Sequence, residues 1–142
     1  MNVNASKHLY VSDLDGTLLR LDETIDAGAR QRLVRMLEAG PNFTVASARS
    51  VVSIKEVLAD LPLKLPVIEI NGAFISDLQT GRHVKINDIA KDILAELHEL
   101  ITRCGCHSFL STYNGSEDCL YHPRIANDGI DFYYRNRQEN RD

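Results

Sequence analysis

Two carboxylates, Asp13 and Asp15, lie two residues apart and are followed directly by Gly16 and Thr17. Like charges at this spacing raise the pKa of one group unless something positive lies between them. Mg²⁺ suits such a place, because it prefers oxygen ligands and is usually held by one or two carboxylates together with a substrate phosphate. The spacing therefore predicts a magnesium site with Asp13 and Asp15 as metal-binding residues.

The same pair could carry out phosphoryl transfer. One carboxylate can attack phosphorus to form an aspartyl phosphate, while the second serves the leaving oxygen and then the attacking water. Gly16 permits a close backbone approach, and loop amides can hold phosphate oxygens. We therefore predict that Asp13 and Asp15 are catalytic and that the backbone of Leu14, Gly16 and Thr17 binds phosphate.

The segments around this loop alternate between strand and helix patterns. Three apolar runs predict strands, and the first of them suits a strand buried on both faces. Between the runs, apolar residues at helical spacing predict two amphipathic helices, capped by Asp26 and Ser50. The three strands and two helices are Leu9–Ser12, 26–39, Phe43–Ala46, 50–61 and Val67–Ile70. This order is typical of an α/β fold with a doubly wound, Rossmann-like parallel sheet, whose ligands lie at the carboxyl ends of the strands.

Polar residues also follow the second and third predicted strands. Ser47 and Arg49 come directly after the second strand, and Asn71 follows the third. All three therefore lie at the carboxyl ends of predicted strands, where ligands are bound in such folds. The alternatives are ordinary local roles: helix N-capping for Ser47 and a simple turn at Asn71-Gly72.

The pattern changes beyond Ala73. Residues 74–77 and 83–86 predict an antiparallel hairpin, and 88–103 predicts a helix. Asn114-Gly115 predicts a second hairpin, between 108–113 and 118–122. The polar end, 127–142, suits a frayed helix or a disordered segment. We expect a core region at 1–84 and the beginning of an α+β domain at 85–142.

Composition excludes some classes of protein. The net charge is −4 and the basic residues are scattered, which does not suit a nucleic-acid binder. No apolar run reaches the roughly 20 residues that span a membrane. Residues 1–8 lack the arrangement of a signal peptide, so the expected compartment is the cytoplasm. Cys104, Cys106 and Cys119 match no common zinc spacing and are expected to be reduced thiols.

The segment Asp13-Leu14-Asp15-Gly16-Thr17-Leu18-Leu19 resembles the defining motif of the haloacid dehalogenase superfamily. With Asn71-Gly72-Ala73 after the third strand, the chain is most similar to the Cof-type phosphatases of that superfamily. The resemblance implies that Asp13 is the nucleophile and Asp15 the general acid/base. It implies Mg²⁺ held by Asp13 and the backbone carbonyl of Asp15, and a small phosphorylated metabolite, such as a sugar phosphate, as substrate.

The resemblance also assigns roles at the other strand ends. Ser47 would hydrogen-bond the transferring phosphoryl group, Asn71 would frame the phosphate pocket, and Arg49 would be the nearest positive side chain. Ala48 departs from the glycine usual in Cof-type members. The segment from 85 onward would be the beginning of the cap domain that selects substrates in this family.

The resemblance covers the first part of a longer pattern. Cof-type phosphatases also use a lysine and a later Gly-Asp-x-x-x-Asp type motif, whereas the last lysine here is Lys91. We therefore expect weak or no activity from these 142 residues alone, and self-association or binding of a missing C-terminal half. The alternative is a non-catalytic degenerate or split fragment that binds magnesium or a partner chain. A receiver domain is disfavoured, because it needs an acceptor Asp where this chain has Asn71.

Overall fold

The chain forms two compact units, Met1–Asn87 and Asp88–Asp142. A computed structural model describes residues 8–122, 125, 127–135 and 140–141; for 140 and 141 it describes the backbone only.

The first unit is built on parallel strands. Strand β1 (Leu9–Ser12) pairs in parallel with β2 (Asn42–Val45). A parallel bridge between Ala46 and Ile68 links the end of β2 to β3 (Val67–Glu69). Helices lie between successive strands, as in parallel crossover units. The predicted α/β class with a parallel, Rossmann-like core is confirmed.

Beyond β3 the direction of pairing changes. A 3-10 turn over Ile70–Gly72 leads into β4 (Phe74–Ser76), which pairs antiparallel with both β3 and β5 (His83–Ile86). The predicted hairpin is thus confirmed, and its first strand extends the edge of the core at β3.

Two amphipathic helices cover the strands. In α1 (Ala27–Glu38) the Asp26 carboxylate accepts the amides of Gly28 and Ala29, and in α2 (Val51–Leu58) the Ser50 hydroxyl accepts the amide of Ser53. Both predicted N-caps are confirmed, although α2 ends three residues before the predicted boundary. The helices and strands enclose one apolar core, formed by Leu14, Leu19, Ile25, Leu33, Leu37, Phe43, Val45, Val51, Ile54, Leu58, Leu61, Leu63, Val67 and Leu78.

The burial expected for β1 is wrong. Leu9, Tyr10 and Val11 are 55%, 54% and 47% exposed. In the described part of the chain β1 pairs with β2 alone, so its other edge and much of both faces remain open. An apolar run predicts a strand well, but burial depends on neighbours that the run does not specify.

The second unit begins with α3 (Lys91–Arg103), three residues after the predicted start. The predicted hairpin around Asn114-Gly115 is confirmed as β6 (Leu110–Tyr113) and β7 (Asp118–Tyr121). Within the polar end, α4 (Asp128–Arg135) is helical, and β8 (Asn140–Arg141) pairs in parallel with β7. Residues 136–139 and 142 of this segment lie outside the described residues.

Cys104 and Cys106 are exposed, Cys119 is buried, and all three are free thiols. Among the described residues no helix has the length and apolarity required to cross a membrane.

Candidate active site

The loop after β1 is anchored by Leu14 and presents its two acids outward. The Leu14 side chain is fully buried in the core, whereas Asp13 and Asp15 are exposed on either side of it. The Leu14 carbonyl accepts the amides of Thr17 at 3.2 Å and Leu19 at 2.8 Å. The apolar residue between the acids therefore fixes the loop while both carboxylates face solvent.

The turn that follows holds Asp13 in place. Gly16 has a φ of +74°, a left-handed conformation that costs a glycine little. After this turn the Thr17 hydroxyl donates to Asp13 Oδ2 at 3.1 Å. Thr17 therefore contacts the predicted nucleophile directly through its side chain, in addition to its predicted backbone role.

Asp15 forms a bidentate ion pair with Arg49. The guanidinium donates from Nε to Asp15 Oδ2 at 2.9 Å and from Nη2 to Oδ1 at 2.7 Å. Arg49 Nη2 also contacts Glu23 Oε2 at 3.0 Å. Such fork-like pairs are among the stronger hydrogen bonds in proteins. Arg49 therefore lies between two acids and links the loop after β1 to the loop after β2.

The ion pair changes the titration of both partners. Hydrogen bonding to Arg49 holds the pKa of Asp15 below its ordinary value of 3.8, against a smaller opposing effect of burial. The same contact raises the pKa of Arg49. Asp15 is therefore a carboxylate at neutral pH in this arrangement.

Backbone hydrogen bonds join the three strand ends. The Ala46 amide donates to the Ser12 carbonyl at 2.9 Å, and the Ser47 amide donates to the Ile68 carbonyl at 3.0 Å. The Asn71 amide in turn donates to the Ser47 carbonyl at 3.0 Å. The predicted site residues after β1, β2 and β3 thus belong to one connected edge of the first unit.

Ser47 is 5% exposed and is not the N-cap of α2, because that position is Ser50. Its hydroxyl oxygen instead accepts the Arg49 amide at 3.1 Å. The local role considered from the sequence, helix capping, is therefore excluded. Ser47 shapes the turn that carries the Arg49 guanidinium.

Asn71 lies in a strained turn. It has a φ of +54°, and Ile70 before it has a φ of +47°. Asparagine adopts positive φ more readily than most residues, whereas a β-branched residue such as Ile70 rarely does, and such a conformation persists only where surrounding contacts hold it. The Ile70 amide donates to the Arg49 carbonyl at 3.1 Å, so the loops after β2 and β3 fix one another.

The loop offers part of a cation site. Among the described residues no three His, Cys, Asp or Glu side chains converge as metal ligands. Asp13 nevertheless offers an exposed carboxylate at the start of this loop, whereas both oxygens of the Asp15 carboxylate accept from Arg49. One or two protein carboxylates are the number that Mg²⁺ commonly uses. The residues present therefore fit a magnesium ion that takes its remaining ligands from water, backbone and phosphate.

Sequence reasoning missed two acids. Glu23 lies in an exposed loop, and nothing in its sequence context indicates contact with Arg49. Glu69 is the one charged residue in the apolar run of β3 and is 1% exposed. A charge in a predicted buried strand was a usable signal, because such a residue is rarely buried without partners.

An acidic loop after the first parallel strand, joined to a serine loop and an asparagine turn, places this chain among α/β proteins with a Rossmann-like core and a polar site at the strand ends. The chain matches the haloacid dehalogenase-like hydrolase family over residues 10–141 and belongs to that family.

Named relatives and solved structures agree with this assignment. The chain is 38% identical over 65 residues to a 5-amino-6-(5-phospho-D-ribitylamino)uracil phosphatase of Bacillus subtilis, a match that covers 46% of this chain and 22% of the relative. A haloacid dehalogenase-like hydrolase structure from B. subtilis has a TM-score of 0.66 at 23% identity, covering 87% of this chain and 42% of that one. The structure of a subclass IIB sugar phosphatase has a TM-score of 0.67 at 16% identity, with coverages of 89% and 47%.

The identities to the two solved structures establish a shared fold only. The chain also spans less than half the length of the curated relatives it matches, from 22% in one to 46% in another.

Proposed function

We propose that this chain carries the nucleophile part of a magnesium-dependent phosphomonoester hydrolase that acts through an aspartyl phosphate. The observation that supports this most strongly is the loop of Asp13 and Asp15 at the carboxyl end of β1, joined through backbone bonds to the Ser47 loop. Phosphoryl transfer depends mainly on positioning and charge stabilisation, and this edge gathers the groups for both.

The proposed reaction has two balanced steps. A carboxylate oxygen of Asp13 attacks phosphorus and the bond from phosphorus to the ester oxygen breaks. Asp15, which must first give up its pairing with Arg49 and take up a proton, donates that proton to the ester oxygen. Water then attacks the phosphorus of phosphorylated Asp13, Asp15 takes a proton from that water, and the bond from phosphorus to the Asp13 oxygen breaks. Inorganic phosphate leaves and both carboxyl groups are restored.

The other residues would position the phosphoryl group. The amides of Leu14, Gly16 and Thr17 and the hydroxyl of Ser47 would hold its oxygens, with Asn71 at the rim. Asp13 and the backbone carbonyl of Asp15 would hold Mg²⁺, which when bound supplies positive charge against the phosphoryl oxygens. Arg49 would contribute charge as well, but only through a guanidinium already shared with Asp15 and Glu23.

We propose a small phosphorylated metabolite, such as a sugar phosphate, as the substrate. A phosphatase that acts on a uracil derivative and a sugar phosphatase, both among the similar proteins, support this class. Residues 1–84 would supply the catalytic core, and residues 85–142 would be part of a cap that takes part in substrate selection.

The exposed strand β1 supports a further part of the proposal, concerning partners. Its apolar side chains and open edge suit pairing with another segment, either a C-terminal half or a second copy of the chain. A C-terminal half, unlike a second copy, would also bring the lysine and the second acidic motif that the family pattern calls for.

The direct test is hydrolysis of p-nitrophenyl phosphate by the intact gene product with Mg²⁺. We expect Asp13→Asn to reduce hydrolysis to background and Asp15→Asn to reduce it by about 10²-fold or more. Asp22→Asn is the matched control, because Asp22 is an exposed acid nearby that hydrogen-bonds Thr24. Activity that survives Asp13→Asn would refute the nucleophile assignment, and an inactive wild type would favour a non-catalytic fragment.

A further inference from the structure

Three buried polar side chains from adjacent strands meet inside the first unit. Glu69 on β3 and Ser76 on β4 are 1% and 0% exposed, and the His83 side chain on β5 is 2% exposed. The Ser76 hydroxyl donates to Glu69 Oε1 and lies 2.7 Å from His83 Nδ1. His83 also stacks on Phe74, with ring centroids 4.3 Å apart.

The buried carboxylate of Glu69 reaches a second element as well. Its Oε2 accepts the backbone amide of Val51, the first residue of α2. That amide belongs to the first turn of a helix, where backbone donors lack partners within the helix and the helix dipole favours negative charge. Burial of a carboxylate is costly unless donors compensate it, and here the donors come from α2 and β4.

The residues on either side of Glu69 hold the same segment through the backbone. The Ser47 amide donates to the Ile68 carbonyl, and the Ile70 amide donates to the Arg49 carbonyl. The segment from Ser47 to Val51 is therefore fixed at its start and middle by backbone bonds and at its end by the Glu69 side chain.

We propose that Glu69 is a positioning residue, which sets the place of the Ser47 hydroxyl and the Arg49 guanidinium by fixing the N-terminus of α2. This inference rests on the proposed phosphatase function. Ser76 and His83 hold the carboxylate of Glu69 in the rotamer that reaches Val51. Small displacements of groups that orient a reacting phosphoryl group cost large factors in rate.

Two substitutions at position 69 separate positioning from burial. Glu69→Leu keeps the size but leaves the Val51 amide without its acceptor. Glu69→Gln is the conservative variant, because its amide oxygen can accept from Val51 and its amide nitrogen can donate to Ser76. Leu37→Ala is the matched control for lost stability. Leu37 is buried in the core and lines a surface groove together with Asn42. Asn42 is the first residue of β2, whereas Ser47 follows the end of that strand.

The measurements are kcat and KM for p-nitrophenyl phosphate with the intact gene product, and amide hydrogen exchange of Val51. In Glu69→Leu we expect kcat to fall by about 10- to 100-fold with little change in KM, and Val51 exchange to rise by about tenfold or more. For Glu69→Gln we expect kcat and the Val51 exchange rate to stay within about threefold of wild type, because glutamine can restore both hydrogen bonds. Leu37→Ala should keep the wild-type kcat when it is assayed below the unfolding temperature of the variant.

The proposal is overturned if folded Glu69→Leu keeps the wild-type kcat. It is also overturned if kcat falls as far in Leu37→Ala as in Glu69→Leu. If Glu69→Leu does not fold, Glu69→Asp replaces it: the carboxylate stays but is one methylene short of Val51, and the same loss of kcat is expected. If the wild type hydrolyses nothing, the phosphatase function fails. The positioning is then judged by exchange alone, and unchanged Val51 protection in Glu69→Leu overturns it.

Discussion

Arg49 and Asp15 form the ion pair that decides the protonation of the proposed general acid. A general acid must carry a proton when the leaving oxygen departs, yet hydrogen bonds from Arg49 favour the carboxylate form of Asp15. The Asp15 pKa is accordingly lowered. The ion pair stabilises the fold above the ordinary pKa of Asp15, and this contribution is lost as the pH falls through the lowered value.

Removal of the guanidinium should reverse this shift. In Arg49→Gln we expect the pKa of Asp15 to rise toward 3.8, because the largest cause of its lowering is gone. Carboxyl-carbon NMR titration measures the change. Asp22 and Asp26 are internal controls, since hydrogen bonds from Thr24 and from the first turn of α1 lower their pKa values. An Asp15 pKa that does not move, or that moves together with those of Asp22 and Asp26, would contradict the assignment.

At the level of single residues, the sequence predicted those features of the site that depend on residues close together in the chain. Asp13 and Asp15 lie outward around a buried Leu14 because neighbouring residues fix that loop. The contact of Glu23 with Arg49 depends on two loops 26 positions apart, so local patterns do not determine it. Whether the predicted roles in catalysis hold is left to the substitutions at Asp13 and Asp15.

Among the helices and strands, the start of α2 connects stability with the site. Ser50 is 4% exposed, and its hydroxyl oxygen accepts the Ser53 amide at 3.4 Å, while Glu69 accepts the Val51 amide. Two of the unpaired amides of the first turn are thereby satisfied. The helix that follows Ser47 and Arg49 is thus held at its first turn by two independent acceptors.

Loss of the cap should destabilise the chain measurably. We expect Ser50→Ala to lower the free energy of unfolding by about 1 kcal/mol and Ser50→Gly by only a few tenths. Urea unfolding of both variants beside wild type gives the comparison. Equal stability of Ser50→Ala and wild type would mean that the hydroxyl does not act as a cap.

The pattern of apolar residues predicts that a helix exists but does not fix the residue at which it begins. Helix α1 begins next to Asp26 as predicted, because a capping side chain marks the place. Helix α3 begins three residues late, at Lys91, after an Ala90 N-cap that makes no side-chain hydrogen bond. Where a side chain supplies the cap, the sequence locates a boundary closely; without one, the periodicity alone is less exact.

For the chain as a whole, β1 is the feature with the largest consequence. It carries the proposed catalytic loop at one end, yet Leu9, Tyr10 and Val11 are about half exposed, and within the described residues only β2 pairs with it. Open strand edges with apolar side chains promote association between chains, and charged residues on the edge prevent it.

The 142-residue chain should therefore self-associate through β1. We expect sedimentation velocity to show concentration-dependent dimers or larger species, and Val11→Lys to shift them toward monomer, because a charge on the open edge opposes strand pairing. Leu21→Lys is the matched control: Leu21 is fully exposed in a loop, so the same charge there should leave association unchanged. A chain that remains monomeric at all concentrations would refute self-association, and an equal effect of both substitutions would show that net charge, not the β1 edge, controls it.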